Sequence, residues 1–241
     1  MPASERETVA RTDRVSARRR GLWVIKLGGS LAGSPLLRSW LDTIAGGGGR
    51  LVLVPGGGGF ADTVRQMQDR WGFGDRPAHH MAVLAMEQYG LMLGGLQPEL
   101  RPADSRTGIR YALRQGHVPV WLPGRMVIGR PEIPESWDMT SDSLAAWLAA
   151  RLGADGVVLV KSVAVEEGSS VEELARRGVV DPLLPRFVRD VPACRCIDAA
   201  GHHDMAEALR AGQVAGTPLR LPPDPVPVRQ GAEDCRPTRP C

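Results

Sequence analysis

Five short apolar runs punctuate the chain, at 22–27, 51–54, 118–122, 157–160 and 194–198, and most are continuous rather than alternating. A continuous run of this length fits a strand covered on both faces, as in a parallel sheet whose crossovers are helices. Between the runs lie stretches with helical spacing of apolar positions, at about 35–45, 60–71, 78–95, 141–152 and 203–212. Strand and helix in alternation predict an α/β fold, a three-layer αβα sandwich around a mostly parallel sheet with right-handed crossovers. The stretch Val118–Ile128 reads as two strands about Pro123-Gly124, a hairpin. No internal repeat is present. If the domain has two lobes, the first spans about 21–130 and the second about 131–221.

Composition changes this picture only at the ends. The chain has 241 residues and a net charge of +3, and much of the basic excess sits in its first twenty residues. That stretch, 1–20, mixes arginines with Glu5, Glu7 and Asp13 and contains no apolar core, so it reads as a polar, disordered arm and not as a secretory signal. A tether to nucleic acid or membrane is the alternative reading of so many arginines, but neither partner is expected. The stretch 222–241 is rich in proline and charge and reads as a disordered tail. No run reaches transmembrane length. Cys194 and Cys196 suit small apolar positions on one face of a strand, Cys235 and Cys241 fall in the tail, and none forms a Cys-x-x-Cys pair. Reduced thiols in a cytoplasm are the expectation, and no protein-held metal is expected.

The candidate chemistry starts from lysine. Of thirty Lys and Arg side chains only Lys26 and Lys161 are lysine, and each closes an apolar run. A compact ammonium at the carboxyl end of a buried strand is a point charge aimed at an anion, although two leftover surface lysines would be the plainer reading. Lys26 opens onto Gly28, Gly29 and Ser30, and the second run opens onto Gly56, Gly57, Gly58 and Gly59. Parallel strands end at one edge of the sheet, so both glycine loops should face one crevice and offer backbone N–H groups to phosphate oxygens. The third piece is Trp137-Asp138-Met139-Thr140-Ser141-Asp142-Ser143. Thr140 or Ser141 is the expected N-cap of the next helix, with Asp142 in its first turn. These carboxylates and hydroxyls could cap a helix, orient a lysine or hold magnesium. Rival motifs fit poorly. There is no Gly-x4-Gly-Lys-Ser/Thr loop, Asp75 is badly placed for a ribose, and Gly28-Gly29-Ser30-Leu31-Ala32 is one glycine short of a nucleophile elbow.

On Lys26-Leu27-Gly28-Gly29-Ser30, Pro55-Gly56-Gly57-Gly58 and Thr140-Ser141-Asp142, the chain resembles the amino acid kinase superfamily from about Leu22 to Leu221. The resemblance implies ATP-dependent phosphoryl transfer with magnesium. Lys26 would neutralise the transferred group, the two glycine loops would hold phosphates, and Asp142 would orient the lysine. The stretches Gly59–Arg65, Ala78–Ala82, Trp121–Pro123 and Ser136–Ser143 look most like the branch that phosphorylates [5-(aminomethyl)furan-3-yl]methyl phosphate in methanofuran-type cofactor synthesis. Kinases of isopentenyl phosphate, acetylglutamate or UMP type, or a non-catalytic binding or storage protein on this fold, are the alternatives. For the aminomethylfuran acceptor, Arg65 would reach the phosphate, Asp62 or Glu87 the amine, and Trp137 a furan face, with His79, His80, Thr140 and Ser141 lining the pocket. Each of the helix residues reads equally as a solvated or packed side chain. Two family features are missing: the Asp-Gly turn, where Lys161-Ser162-Val163-Ala164 stands, and a second lysine near Asp181–Arg186. Lys161 with Ser162 and Arg186 is therefore expected on the ATP phosphates. Family analogy also implies a homo-oligomer, a dimer or larger, assembled through the helices at 60–95.

Overall fold

Trp23–Leu27, the first apolar run, forms β1 at the centre of a seven-stranded sheet. The structure, a computed structural model, describes residues 21–223. The arm expected at 1–20 and the tail from 224 onward, with Cys235 and Cys241, lie outside the described residues. β2 (Leu51–Pro55) pairs with one edge of β1 and β5 (Gly156–Lys161) with the other, both parallel. β4 (Val118–Trp121) and β3 (Leu100–Ala103) extend the sheet beyond β2, and β6 (Cys194–Asp198) and β7 (Thr217–Pro218) extend it beyond β5. Only the β6–β7 pairing is antiparallel. The sheet runs without a break across the division near residue 130, because β1 pairs directly with β5.

Both faces of the sheet are covered, which is why its strands read as continuous apolar runs. Val24, Val52, Val54, Val157 and Leu159 face one layer, where α6 (Ser141–Leu152) packs. Ile25, Leu27, Leu53, Val158 and Val160 face the other, against α1 (Leu37–Ala45), α3 (Asp75–Leu96) and α9 (His202–Arg210). Neighbouring residues such as Val24 and Ile25 thus enter opposite cores, as the two-residue period of a strand requires. All of α6 from Ser141 to Ala149 is buried, and Trp147 stacks on Trp121 of β4 with ring centroids 6.0 Å apart. No described helix is long and apolar enough to cross a membrane.

The expected hairpin over Val118–Ile128 does not form. β4 lies between β3 and β2, so a return strand would find no free edge. Pro123 instead starts α5 (Gly124–Val127), and the Glu87 carboxylate accepts a hydrogen bond from the Gly124 N–H at 2.7 Å. That contact commits Glu87 to the helix start and away from a substrate amine. β3 carries Arg101 and Pro102, and an edge strand tolerates proline where a central one would not. α4 (Arg106–Arg114) and α7 (Val171–Arg176) follow Ser105 and Ser170, whose hydroxyls accept from the N–H groups of Gly108 and Glu173. α2 (Gly58–Trp71) and α8 (Leu184–Phe187) complete the helices named here.

From β1 the chain builds outward through β2, then returns to the other edge of β1 as β5. The two halves diverge there, leaving a crevice outside the carboxyl ends of these strands. The glycine loops after β1 and β2 meet in it, backbone against backbone. A Cβ on Gly29 would lie 2.4 Å from the Gly58 nitrogen, and one on Gly56 would lie 2.4 Å from the Gly29 nitrogen. Neither clash is with a side chain that could move. Gly56→Ala is therefore expected to lower the free energy of urea unfolding by about 1–3 kcal/mol. In Gly95→Ala, where a Cβ meets nothing within 4 Å, stability should hold or rise by up to about 1 kcal/mol. Equal midpoints for the two variants would contradict the interlocked loops.

Candidate active site

Lys26 stands one residue before the end of β1, and Lys161 ends β5 beside it. The amino-terminal turn of α6 reaches the same edge and inserts Asp142 between them. Lys26 Nζ lies 2.9 Å from Asp142 Oδ1, and Lys161 Nζ lies 2.5 Å from Oδ2. Lys26 is 6% exposed and Asp142 is 2% exposed. Burial works against the Asp142 charge, yet the attraction of Lys26 and then Lys161 holds this carboxyl at about 2, below its ordinary 3.8.

Around this triad two cavities open, and Gly29 and Ser30 line both. The first, of about 290 Å³, is bounded by Gly56, Gly57, Gly58, Arg65, His79, Trp137, Thr140 and Ser141. The second, of about 450 Å³, is bounded by Lys26, Gly28, Lys161, Ser162 and Arg177. The Gly29–Ser30 turn is therefore common to both spaces, with Gly56–Gly58 on the side of the first and the lysine pair on the side of the second.

In the first cavity the Arg65 guanidinium stacks 4.3 Å from the centre of the Trp137 ring, and the Trp137 Nε1–H donates to Gln68 Oε1 at 2.6 Å. Arg65 also pairs with Asp62 Oδ1 at 3.2 Å, an exposed contact along α2, and Asp62 itself lines the cavity. Burial lowers the pKa of His79, so its ring is neutral at pH 7. Its Nδ1 lies 3.3 Å from the Ser136 carbonyl oxygen, which can only accept, so the proton is on Nδ1 and Nε2 keeps a lone pair. No described group bonds that Nε2. His80 is taken up by Glu135, Nε2 to Oε1 at 2.6 Å, with Arg76 on the other carboxylate oxygen.

One expected placement is corrected and one is qualified. Arg186 lines neither cavity; its guanidinium lies 5.3 Å from the Phe187 ring, because a four-residue α8 turns it onto its own neighbour. The arginine in the second cavity is Arg177, at the end of α7, which no motif had indicated. Thr140 occupies the N-cap position of α6 without capping it through its side chain. Asp181, from the loop before α8, does so instead, accepting from the N–H groups of Thr140 at 3.0 Å and Ser143 at 2.9 Å and from the Thr140 hydroxyl at 2.5 Å. In the sequence Asp181-Pro182 reads as a turn, and nothing local ties it to a helix about forty residues earlier.

Among the described residues no cluster of three His, Cys, Asp or Glu side chains could hold a metal ion. Asp142 has both oxygens on lysines.

A family model described as the amino acid kinase family matches residues 21–165. The chain is 24% identical over 142 residues to a [5-(aminomethyl)furan-3-yl]methyl phosphate kinase of Methanocaldococcus jannaschii, a match that covers 58% of this chain and 65% of that relative's length. Among solved structures, uridylate kinase from Archaeoglobus fulgidus superposes with a TM-score of 0.63 at 18% identity over 83% of this chain and all of that one. UMP kinase from Bacillus anthracis gives 0.60 at 15% identity, covering 83% of this chain and 95% of its own. Aspartate kinase from Synechocystis gives 0.56 at 16% identity, covering 84% of this chain and 40% of its own.

The depressed Asp142 pKa has a stability consequence. A carboxyl held at about 2 in the folded chain against 3.8 unfolded contributes stability in full above pH 4 and loses it as pH falls through that window. Urea unfolding at pH 5 and pH 3 should show about 1 kcal/mol more loss in the wild type than in Asp142→Asn. An equal loss in both would mean that the lysines do not hold this carboxylate in solution.

Proposed function

The chain belongs to the amino acid kinase family, and from that premise we propose that it is an ATP-dependent phosphotransferase acting on a small phosphorylated alcohol. The observation that carries this reading is the Lys26–Asp142–Lys161 triad, whose lysines line the second cavity, which shares the Gly29–Ser30 turn with the first. Phosphoryl transfer needs positioning and charge neutralisation more than it needs a nucleophilic side chain, and this is what the site offers. ATP places its phosphates in the second cavity, against the Gly28–Ser30 amides, Lys161, Ser162 and Arg177. The acceptor occupies the first, so that its phosphate oxygen approaches the γ-phosphorus from the opposite side. The new P–O bond forms as the bond to the β-phosphate breaks, and ADP leaves. Lys26 and Lys161 offset the charge that spreads over the transferring group, while Asp142 holds the two ammonium groups in place before substrate arrives. Magnesium, when present, comes with the ATP phosphates. On this reading the half at 21–130 is the acceptor lobe and the half at 131–221 the nucleotide lobe.

For the acceptor we favour an aminomethylfuran methyl phosphate, the substrate named for the M. jannaschii relative. Arg65 and the Gly56–Gly58 amides suit its phosphate. Trp137, which lines the same cavity, offers an aromatic ring for the furan to stack on. The rival reading, a non-catalytic binding protein, draws on the altered Lys161-Ser162-Val163-Ala164 turn. ADP release should depend on the acceptor and fall at least about 100-fold in Lys26→Ala. ATP binding without turnover, across aminomethylfuran phosphate, isopentenyl phosphate, acetylglutamate and UMP, would favour the binding protein.

The protein is further proposed to be a homodimer. The outer faces of α2 and α3 leave Phe60, Trp71, Met81, Leu84, Leu91 and Met92 exposed, Trp71 at 70% and Leu91 at 54%. So many large apolar side chains on adjacent helices mark a face that is covered in the assembled protein. Leu84→Glu should shift the mass measured by light scattering from dimer to monomer. A monomeric wild type would refute the assignment.

A further inference from the structure

The triad depends on where α6 begins, and α6 does not begin by local means. Thr140 has the hydroxyl that normally caps a helix, yet that hydroxyl donates to Asp181 and leaves the capping to a carboxylate 41 residues further on. Asp181 takes the N–H groups of Thr140 and Ser143, and its own N–H donates to Asp142 Oδ2 at 3.3 Å. That oxygen therefore lies between Lys161 and the Asp181 backbone. Two residues upstream, Arg177-Gly178-Val179 line the second cavity, so one short segment touches both that cavity and the start of α6. Thr140 itself lines the first cavity.

As a device for stability this is a poor choice. A second buried carboxylate is desolvated and repelled by Asp142, and burial followed by that repulsion pushes its pKa up against its hydrogen bonds. A serine or threonine cap would hold the helix without either penalty. What the remote carboxylate adds is orientation, because it grips the same turn that carries Asp142 and bonds Asp142 directly. We propose that Asp181 is a positioning residue, holding Asp142 in the orientation in which it meets both lysines. Its effect on catalysis rests on the phosphotransferase reading; its effect on the lysines does not.

Lys26 and Lys161 are the only lysines in the chain, so uniform ¹³C-lysine labelling of the full-length protein yields two side-chain spin systems, assigned with Lys26→Arg and Lys161→Arg. Asp181→Asn keeps the shape but turns an acceptor into a donor facing donors. We expect both lysine ε-carbon resonances to move and, with ATP and the aminomethylfuran phosphate, kcat to fall about 10–100-fold. KM for ATP should stay within about threefold, since Arg177, Ser162 and the Gly28–Ser30 turn still line the second cavity. Thr140→Val, which removes only the hydroxyl, should do the same to a smaller degree. Ser105→Ala, which uncaps the distant α4, should lower the melting temperature and leave the resonances where they are.

A lowered melting temperature in Asp181→Asn, with unmoved lysine resonances and kcat within about twofold of wild type, would reduce Asp181 to an ordinary cap. If Asp181→Asn does not fold, the lysine resonances of Thr140→Val decide the matter in the same way. A wild type without turnover would overturn the kinase reading and leave the Asp181 question to the resonances.

Discussion

One buried carboxylate with an ammonium on each oxygen is the constraint around which this molecule is arranged. Taking Asp142, Lys26 and most of Lys161 out of water is expensive, and a buried ion pair often returns no more stability than apolar residues of the same volume would. The surrounding chain nevertheless invests three separate elements in it: the ends of β1 and β5 and the first turn of α6. Such an arrangement is easiest to understand as preparation for an anion. Two positive charges held ready at fixed points need no reorganisation when a phosphate enters, and a low-dielectric setting makes them count for more than they would in water.

The sheet makes that preparation possible. β1 is central, its two neighbours β2 and β5 carry the chain in opposite directions across the sheet, and both have their carboxyl ends at the same edge. The glycine loops then close on each other to within backbone contact, which any Cβ at Gly29 or Gly56 would prevent. Glycine at these two places therefore serves first to let the loops meet, and only through that to bring N–H groups to a ligand. The lysine pair, the loops and the two cavities thus follow from one topological feature, the divergence of the chain on either side of β1.

α6 is the element that ties chemistry to packing. It is buried from Ser141 through Ala149, so its apolar residues are core and its polar first turn has nowhere to find water. The orphan N–H groups of a buried helix start must be met by protein, and here Asp181 meets them. The segment that does so also borders the second cavity through Arg177.

Much of the fold was legible in the residues alone. Continuous apolar runs identified β1, β2, β4, β5 and β6 as strands covered on both sides, and helical spacing located α1, α2, α3, α6 and α9. Less was readable where short elements carry atypical residues: β3 has Arg101 and Pro102 because it sits at an edge, and α7 is six residues long although Ser170-Val171-Glu172-Glu173 is a fair capping signal. The hairpin expected around Pro123 failed because strand order, which no local pattern encodes, leaves β4 without a free edge. At the site, the scarcity of lysine, the paired glycine loops and Thr140-Ser141-Asp142 could be named from sequence, since strand ends and helix starts are local signals. That Asp142 faces both lysines, that Arg177 and not Arg186 borders the second cavity, that Glu87 bonds the start of α5, and that Asp181 caps a helix 38 to 41 residues away were decided only by tertiary structure. Each of these is a contact between segments distant in the chain, and periodicity along a chain carries no record of which distant segments will touch.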